Sequence, residues 1–591
     1  MNKSKYYKNL NTLYTPFAEK IDKNCPLPEY PRPQLERDSY INLNGYWDYA
    51  ILSQPSELPT YQGKILVPFS PESPLSGVNK LLKPSEFLYY RKIFTLPEGF
   101  KKDRVLLHFG AVDYLCKVYI NQKLVGEHRG GFFPFTFDIT DYLFADKENY
   151  LTMEVTDPSD TGFQQRGKQK LKRGGIFYTP QSGIWQTVWM ESVVDNYIEN
   201  IKITPDIDSS SVDIEVFAKD LSTPADIEIS FAGKKVASGK TDKDGKAKIT
   251  FSEYKLWSPE EPNLYDITIT LGDDNIKSYF GMRKFGVGND EAGIPRLMLN
   301  NEPYFHNGLL DQGYWSDGLY TAPTDEALIY DIQITKDLGF NMLRKHIKIE
   351  PLRWYYHCDR LGMLVWQDFV NGGRGANKLY NGFLSIIGRT ADDTNYRWGG
   401  RKEEESRKEY YVDSEKTIKL LYNTVSLALW VPFNESWGQF DALKVTDWVR
   451  TLDNTRPIDH ASGWLDQGGG DFKSTHVYFV PITVPSEKDR KGRCFILSEF
   501  GGYSLDIEGH VFNSKKSFGY RKYSSLKEFE AAYHKLFEES IIPLIEKGLS
   551  ATVYTQITDV EDEINGIITY DRKVVKLDAD KLRELNSRVK L

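Results

Sequence analysis

The stretch LWVPFNESWG, from Leu429 to Gly438, decides the fold of the C-terminal half of the chain. An apolar run from Leu427 to Phe433 ends abruptly in Asn434 and Glu435, and a helix-like segment follows. A buried strand that presents a carboxylate and an amide at its carboxyl end is typical of an active-site strand in an α/β barrel. We therefore expect Glu435 to lie at the mouth of such a barrel.

A second apolar run of the same kind, CFILSEFGG from Cys494 to Gly502, places Glu499 near its end. One acid at a strand end says little by itself, because barrel mouths are rich in acids. Two acids in one barrel say more, since a pair of carboxyl groups is what glycoside hydrolysis requires. The sequence thus predicts that Glu435 and Glu499 face each other across the mouth.

The region from about Phe285 onward alternates apolar, strand-like runs with amphipathic, helix-like segments. This alternation predicts parallel βα units, and eight such strands fit a (β/α)8 barrel. A first helix is expected between Thr324, which can cap it, and Gly339. The other predicted helices cover 351–361, 412–424, 440–454 and 526–548. The predicted strands are Tyr304–Leu310, Phe340–Lys345, Met363–Trp366, Leu427–Phe433, Pro457–Ala461, Ser474–Tyr478, Cys494–Ser498 and Ala551–Gln556.

The N-terminal half of the chain predicts two β-sandwiches. Short, aromatic-rich strands up to Glu191 indicate a jelly-roll sandwich. Regular alternation from about Tyr197 to Lys284 indicates an immunoglobulin-like sandwich, of the disulfide-free type because no Cys…Trp…Cys core is present. The predicted domains are a jelly-roll with an N-terminal arm over residues 1–195, an immunoglobulin-like sandwich over 196–285, and a catalytic barrel over 286–591.

Composition narrows the class of protein. The chain has 591 residues and a net charge of −8, and it shows no basic stripe, which argues against nucleic acid as a partner. No apolar run is long enough for a membrane span. Four widely spaced cysteines and no signal-peptide pattern predict a cytoplasmic location, unless a signal was removed. No cofactor is expected, and a homo-oligomer stays open. The 12 Trp, 37 Tyr and 32 Phe suit sugar platforms and sandwich cores equally well.

Polar residues are frequent where the predicted barrel strands end, which is where active sites of this fold lie. In a retaining glycosidase one carboxyl group there donates a proton and the other attacks the anomeric carbon. The candidates at these strand ends are Asp311, Arg344, His346, Gln367, Asp368, Asn434, Glu435, His476, Tyr478, Glu499 and Gln556.

Several stretches resemble family 2 of the glycoside hydrolases, which includes β-galactosidases, β-glucuronidases and β-mannosidases. They are the pair Asn434-Glu435 and the stretches SEFG at 498–501, LNGYW at 43–47, FGMR at 280–283, GFNMLR at 339–344 and GMLVWQD at 362–368. The family has the domain order predicted above, so the resemblance covers nearly the whole chain.

The resemblance implies an exo-acting retaining β-glycosidase, with Glu435 as acid/base and Glu499 as nucleophile. It also implies that Asn434 binds the sugar 2-hydroxyl, that Tyr478 holds the nucleophile by a hydrogen bond, and that Arg344 keeps it ionised. The chemistry requires no metal. The remaining candidates for substrate binding are Asp311, His346, Asp368 and His476, each of which could instead be a core residue, and two potential sugar platforms, Trp366, which could equally be core, and Trp398 on the long loop.

The sugar is less constrained than the mechanism. Glucuronidases of the family have an Asn-x-Lys near the end of the barrel that binds the sugar carboxylate, but here Asn565 is followed by Gly566 and Ile567. The family's mannosidases usually have Asn-Asn-Glu at strand four, where this chain has Phe433 before the Asn-Glu pair, although WQD at 366–368 is mannosidase-like. A β-galactosidase-like specificity remains by default, with β-glucuronidase, β-mannosidase and arabinosidase as alternatives.

The sequence leaves open the roles of two segments, and it leaves two alternative classes of protein to consider. Loop 157–181 of the first domain could reach the barrel mouth or be a solvated loop. The long segment Val370–Tyr411 is expected to be functional or flexible, and it contains Arg374, Tyr380, Arg389, Tyr396, Arg397 and Trp398.

A non-catalytic carbohydrate-binding protein would have lost one of the two carboxylates. A metal-dependent hydrolase would need clustered ligands, which nine scattered histidines do not supply.

Overall fold

The computed structural model of the chain describes residues 10–375 and 391–591. Its first domain is a jelly-roll sandwich of a six-stranded and a four-stranded antiparallel sheet, whose inward side chains share one core. The larger sheet contains, in spatial order, Gly63–Val67, Gly45–Leu52, Phe87–Phe94, Asn149–Thr156, Leu115–Ile120 and Lys123–Arg129. The smaller sheet contains Tyr40–Asn42, Val188–Val193, Arg104–Phe109 and Phe135–Asp138, and a short pair joins Val112–Asp113 to Gly183–Ile184.

The second domain is an immunoglobulin-like sandwich, and the strict alternation of apolar and polar residues along its strands explains why it forms. On its central strands Ile227, Ile229, Ile267 and Ile269 all lie in one buried core, while the residues between them face away from it. One sheet contains Ile198–Asp206, Ser211–Ala218 and Lys246–Thr250, and the other contains Lys234–Lys240, Asp226–Phe231, Tyr265–Leu271 and Asp274–Phe280. A small sheet of Phe285–Asn289, Pro295–Leu299 and Glu302–Pro303 leads into the barrel.

The C-terminal domain is an α/β barrel whose parallel sheet contains seven strands among the described residues. We number them by their place in the barrel, leaving the fifth place to the segment described next. They are the first (His306–Asp311), second (Met342–Lys345), third (Leu364–Asp368), fourth (Leu427–Val431), sixth (Phe472–Val477), seventh (Cys494–Gly501) and eighth (Leu549–Thr555) strands. A separate pair joins Tyr503–Ser504 to Arg521–Lys522.

The prediction of a fifth strand over Pro457–Ala461 is wrong. Within the described part of the chain this segment makes isolated bridges, such as Trp430–Ile458, and no ladder. The N–H of Ile458 donates to the side-chain carboxylate of Asp471 at 2.7 Å, which removes one backbone donor from any ladder. Because the segment still bonds to Trp430 on one side and to Asp471 on the other, it fills the gap between the fourth and sixth strands.

Helices cover the barrel. The first begins where it is predicted, directly after Thr324, whose side chain caps it by accepting a hydrogen bond from the N–H of Ala327. The helix predicted to begin at 412 begins earlier, at Glu404. The helix predicted over 526–548 is divided by a π-helical turn just before Pro543, which has no N–H to donate. No helix of the described part is long and apolar enough to cross a bilayer. The α-helices within residues 10–375 and 391–591 are Asp325–Asp337, Leu352–Leu361, Glu404–Leu421, Ala442–Leu452, Glu487–Arg490, Leu526–Leu536, Ile542–Ile545 and Ala579–Ser587.

Candidate active site

The fourth and seventh strands bring two carboxylates together at the mouth of the barrel. Glu435 follows the fourth strand in a left-handed backbone conformation, with φ of 49°. Glu499 lies within the seventh strand and is 4% exposed. One oxygen of each carboxylate and one ring nitrogen of His476 all lie within 4.8 Å of one another. The two acids singled out in the sequence therefore belong to one site.

His476, at the end of the sixth strand, stands between the two acids. Its Nδ1 lies 2.8 Å from Oε1 of Glu435 and 3.6 Å from Oε2 of Glu499, and its Nε2 lies 3.2 Å from Oγ of Ser462. Gly463 lies against the ring, where an added Cβ would come within 2.3 Å of the imidazole, so no larger residue fits there. The ring is thus fixed by contacts at both nitrogens.

Glu499 is surrounded by groups that stabilise its ionised form. Oε2 accepts a hydrogen bond from the Tyr478 hydroxyl at 2.5 Å, and Oε1 accepts one from Nη1 of Arg344 at 3.3 Å. Burial by itself raises the pKa of this carboxyl group, but His476, Arg344, His346 and the Tyr478 hydrogen bond outweigh it and lower the pKa below its usual range. Glu499 is therefore a carboxylate at neutral pH.

Arg344 organises the floor of the site. Its guanidinium is fully buried and binds both oxygens of Asp368 at 2.9 and 3.1 Å. It also donates to the carbonyl of Ser498 at 2.9 Å and to Oδ1 of Asn434 at 2.8 Å. Because the Asn434 oxygen is used in this way, its NH2 group is oriented away from Arg344 and stays a donor for a ligand.

His346 completes the floor beside Asp368. Its Nδ1 lies 2.8 Å from Oδ2 of Asp368. Burial, and next the positive charge of Lys168, hold the pKa of His346 well below its ordinary value, so the ring is neutral at neutral pH. Burial raises the pKa of Asp368 more than Arg344 lowers it.

Two of the residues predicted to bind substrate, Asp311 and Trp366, lie away from the two acids. Asp311 binds Lys345 at 2.6 Å instead of facing the mouth. Trp366 is fully buried in the barrel interior and donates its indole N–H to Nδ1 of His306 at 2.9 Å. Trp398 is 37% exposed on the segment before the helix Glu404–Leu421. Tyr380 and Arg389, singled out on the same segment, lie outside the described residues.

Sequence reasoning missed Tyr520 and Thr555, two neighbours of Tyr478. Tyr520 stacks on the Tyr478 ring with centroids 3.7 Å apart and planes 4° apart, and Thr555 Oγ1 lies 3.0 Å from the Tyr478 hydroxyl. Thr555 ends the eighth strand, so the strand-end rule could have found it. Tyr520 gave no such indication, because it lies in a long connection between the seventh strand and the helix Leu526–Leu536.

A loop of the jelly-roll domain forms one wall of the mouth. On one side Gln165 pairs with Gly372, and the N–H groups of Arg166 and Gly167 donate to the carbonyl of Asn371 at 2.9 and 3.0 Å. On the other side this loop reaches the residues after the eighth strand, through hydrogen bonds of Arg173, Tyr178 and Thr179 to the acids at 561–563. The loop 157–181 therefore spans the barrel mouth and is not a purely solvated loop.

Comparisons with known proteins agree with this architecture. Residues 79–184 match the galactose-binding domain-like model of glycosyl hydrolase 2, residues 196–283 match the model of glycosyl hydrolases family 2, and residues 296–508 match the TIM barrel domain model of that family. A β-D-glucuronidase structure from Dictyoglomus thermophilum superposes with a TM-score of 0.73 at 18% identity, covering 94% of this chain and 98% of the other, which shows a common fold.

Curated relatives have two different names. A β-galactosidase of Thermoanaerobacter pseudethanolicus is 26% identical over 47% of this chain and 39% of its own length. A β-glucuronidase of Streptococcus agalactiae is 24% identical over 69% of this chain and 68% of its own length. The chain spans well under half of the length of two β-galactosidases that it matches, 39% and 35%. With three domain models of one family matched in order, the chain belongs to family 2 of the glycosyl hydrolases.

Proposed function

We propose that the protein is an exo-acting retaining β-glycosidase that removes a terminal sugar by double displacement. The observation behind the proposal is the spacing of Glu435 and Glu499, whose nearest oxygens lie within 4.8 Å of each other. Retaining enzymes place their two carboxyl groups about 5–5.5 Å apart, whereas inverting enzymes leave room for a water molecule between them at about 6.5–9.5 Å. The short spacing favours the retaining mechanism.

The surroundings of the two acids suggest which role each has. The lowered pKa of Glu499 suits a nucleophile, which must be ionised when it attacks the anomeric carbon. The Glu435 side chain is 19% exposed against 5% for Glu499, so it faces the space that the leaving group and water must use. Glu435 is therefore the proposed acid and base.

In the first step Glu435 gives its proton to the glycosidic oxygen while Glu499 forms a bond to the anomeric carbon and the aglycone leaves. In the second step a water molecule gives a proton to Glu435 and attacks the same carbon, which releases Glu499. His476 bonds to Oε1 of Glu435 and positions it for both transfers. Asn434 is proposed to donate its free NH2 group to the sugar 2-hydroxyl.

An exo mode of action is supported by the wall that loop 157–181 builds across the mouth, since a closed side suits one terminal sugar better than an extended chain. The proposed substrate is a carbohydrate, with His346, Asp368 and Trp398 as further candidates for contact. Trp366 and Asp311 would act from beneath the site. A cytoplasmic location stays a prediction from the sequence, and the oligomeric state stays open.

Two sugars compete for the site. The sequence predicts β-galactosidase-like specificity, and the name of the Thermoanaerobacter relative is consistent with that. A β-glucuronide is the second candidate, consistent with the name of the Streptococcus relative and with the buried Lys168 beside the site. A panel of aryl β-galactoside, β-glucuronide, β-mannoside and arabinoside, with α-glycosides as controls, measures the preference.

The roles are tested with Glu435→Ala. An aryl glycoside with a good leaving group needs little protonation, so we expect its first step to survive while turnover of a natural glycoside falls by about 10²–10⁴-fold. Added azide should restore part of the activity and give a β-glycosyl azide. Glu435, His476 and Glu499 are also spaced for a metal ion, so the assay is repeated with a chelator. Loss of activity with the chelator, or an α-configured azide, would contradict the proposal.

A further inference from the structure

Lys168 is a buried cation without an anionic partner. It lies in the jelly-roll loop at the barrel mouth and is 8% exposed. Among residues 10–375 and 391–591, no carboxylate oxygen lies within 4.0 Å of its Nζ, and Nζ makes no hydrogen bond; its contact is with the face of Tyr178, whose centroid is 5.6 Å away. The side chain as a whole is buried, but its Nζ is not among the fully buried atoms, so the ammonium group can still be reached by a ligand at the mouth.

The other cations of the same wall are placed differently. Arg166 donates to the carbonyl of Gly373 at 2.9 Å. Arg401 donates to the carbonyl of Gly438 at 3.0 Å and to Oε1 of Gln165 at 3.0 Å. Their guanidinium groups serve to hold the loops together. Lys168 has no such structural use, which suggests that its partner is a ligand.

The backbone that precedes Lys168 is fixed against the barrel by contacts of Gly167. The N–H of Gly167 donates to Asn371, and a Cβ at Gly167 would come within 2.8 Å of the carbonyl of Ile347. Ile347 directly follows His346, and the charge of Lys168 acts on that ring. Since the neutral His346 ring donates Nδ1–H to Asp368, its Nε2 is an acceptor, and it is the Lys168 ammonium that can donate to an anion at this edge of the site.

We propose that Lys168 binds an anionic substituent of the terminal sugar, either the carboxylate of a uronic acid or a sulfate ester, and so determines specificity. This rests on the proposed function, because it concerns the sugar that lies over Glu435 and Glu499. The sequence disfavours a uronide because Asn565 has no lysine two positions later. In the structure Asn565 donates to Oε1 of Glu563 at 3.0 Å, while the jelly-roll domain supplies a lysine from elsewhere.

The test compares Lys168→Met with Lys172→Met, an exposed lysine of the same loop, as the matched control. We expect the wild type to prefer an aryl β-uronide or a 6-O-sulfo-β-galactoside over the neutral hexosides. Lys168→Met should lose about 10- to 100-fold in kcat/KM on the charged substrate, the range of one charge-assisted hydrogen bond, and change little on neutral ones. The two charged substrates distinguish carboxylate from sulfate.

Two further measurements separate this inference from the proposed function. Lys168→Met should not lower the melting temperature, because no ion pair or hydrogen bond of Nζ is lost; a lowered melting temperature would mean a structural role and would overturn the inference. Calorimetry with Glu499→Gln measures binding of free uronic acids and sugar 6-sulfates without turnover. Binding that depends on Lys168 supports the inference even if no glycoside is hydrolysed. That outcome would contradict only the proposed hydrolase function. Hydrolysis of neutral glycosides without any binding of charged sugars overturns the inference alone.

Discussion

Two clusters of buried charge lie side by side in the barrel, and only one of them suits catalysis. The catalytic cluster consists of Arg344, Asp368, Glu499, His476 and Glu435. The lysine cluster consists of Lys345, Asp311, Lys348 and Glu350, in which Lys345 binds Asp311 at 2.6 Å and Glu350 at 2.9 Å. Lys348 binds Glu350 at 2.8 Å and two backbone carbonyls. Both clusters contain acids and bases at strand ends, so residue type alone does not separate them.

The two clusters differ in the face of the strand from which their side chains project. On the second strand Met342 belongs to the interior core and Leu343 to the core under the helices, so Arg344 faces inward and Lys345 outward. Lys345 accordingly lies 4.1 Å from the ring of Trp354 on the second barrel helix. The same alternation puts Asp311 outside, because its neighbour Leu310 belongs to the interior core. A strand-end acid is a candidate for catalysis only if its side chain faces the mouth.

Glu499→Gln should produce the largest effect, because it removes the proposed nucleophile with little change of shape. We expect kcat to fall by at least about 10⁴-fold on every glycoside, as is usual when a residue of a catalytic unit is removed. Stability at neutral pH should decrease, since the lowered pKa of Glu499 means that its ionised form stabilises the fold and the change leaves Arg344 with less compensation. The measurement is kcat on an activated aryl glycoside beside a melting curve, with Glu404→Gln on an exposed helix face as control. Activity within tenfold of wild type would mean that the catalytic cluster is misassigned.

The comparison of the two clusters also shows which features of the fold and of the site can be predicted from the sequence. The three domains, the order of strands, and the pair Glu435 and Glu499 follow from periodicity and strand ends. The irregular fifth segment does not, because it depends on one side chain, Asp471, taking the N–H of Ile458. Asp311 is wrongly expected to face the site if only the end of the strand is considered. The alternation of inward and outward side chains along the strand must also be used. Lys168 could not be found from the sequence, since what singles it out is the position of its loop at the barrel mouth.

Lys345→Met should produce the second largest effect, on stability instead of activity. The change leaves Asp311 and Glu350 buried with less compensation, and breaking such a buried pair costs about 3–5 kcal/mol. Urea unfolding measures the loss, while kcat/KM of the folded enzyme should stay within about twofold of wild type. Adding Asp311→Asn to the same chain should restore part of the stability, since the two changes remove one charge of each sign. A tenfold loss of kcat/KM at full folding would show that the lysine cluster takes part in catalysis.

Tyr478→Phe should produce the smallest of these effects and one with a defined pH dependence. The Tyr478 hydroxyl donates to Glu499 and helps lower the pKa of that carboxyl group, so its removal raises the pKa. The profile of kcat/KM reports groups of the free enzyme, and Glu499, as the proposed nucleophile, must be ionised. The acidic limb of the profile should therefore move to higher pH, while kcat/KM on the plateau falls by about 10- to 100-fold, as expected for a hydrogen bond to a charged group.

The matched control for that change is Tyr533→Phe. Tyr533 is fully buried, whereas Tyr478 is partly buried, and the Tyr533 hydroxyl has no hydrogen-bond partner among the described residues, so the substitution removes the same atom without a bond. It should leave both the plateau and the acidic limb unchanged. If Tyr478→Phe lowered the plateau without moving the acidic limb, the tyrosine would act through its stacking on Tyr520 and not through the charge of Glu499. The ionised state of Glu499 would then depend on Arg344 and His476, which approach it from the floor and from the side of Glu435.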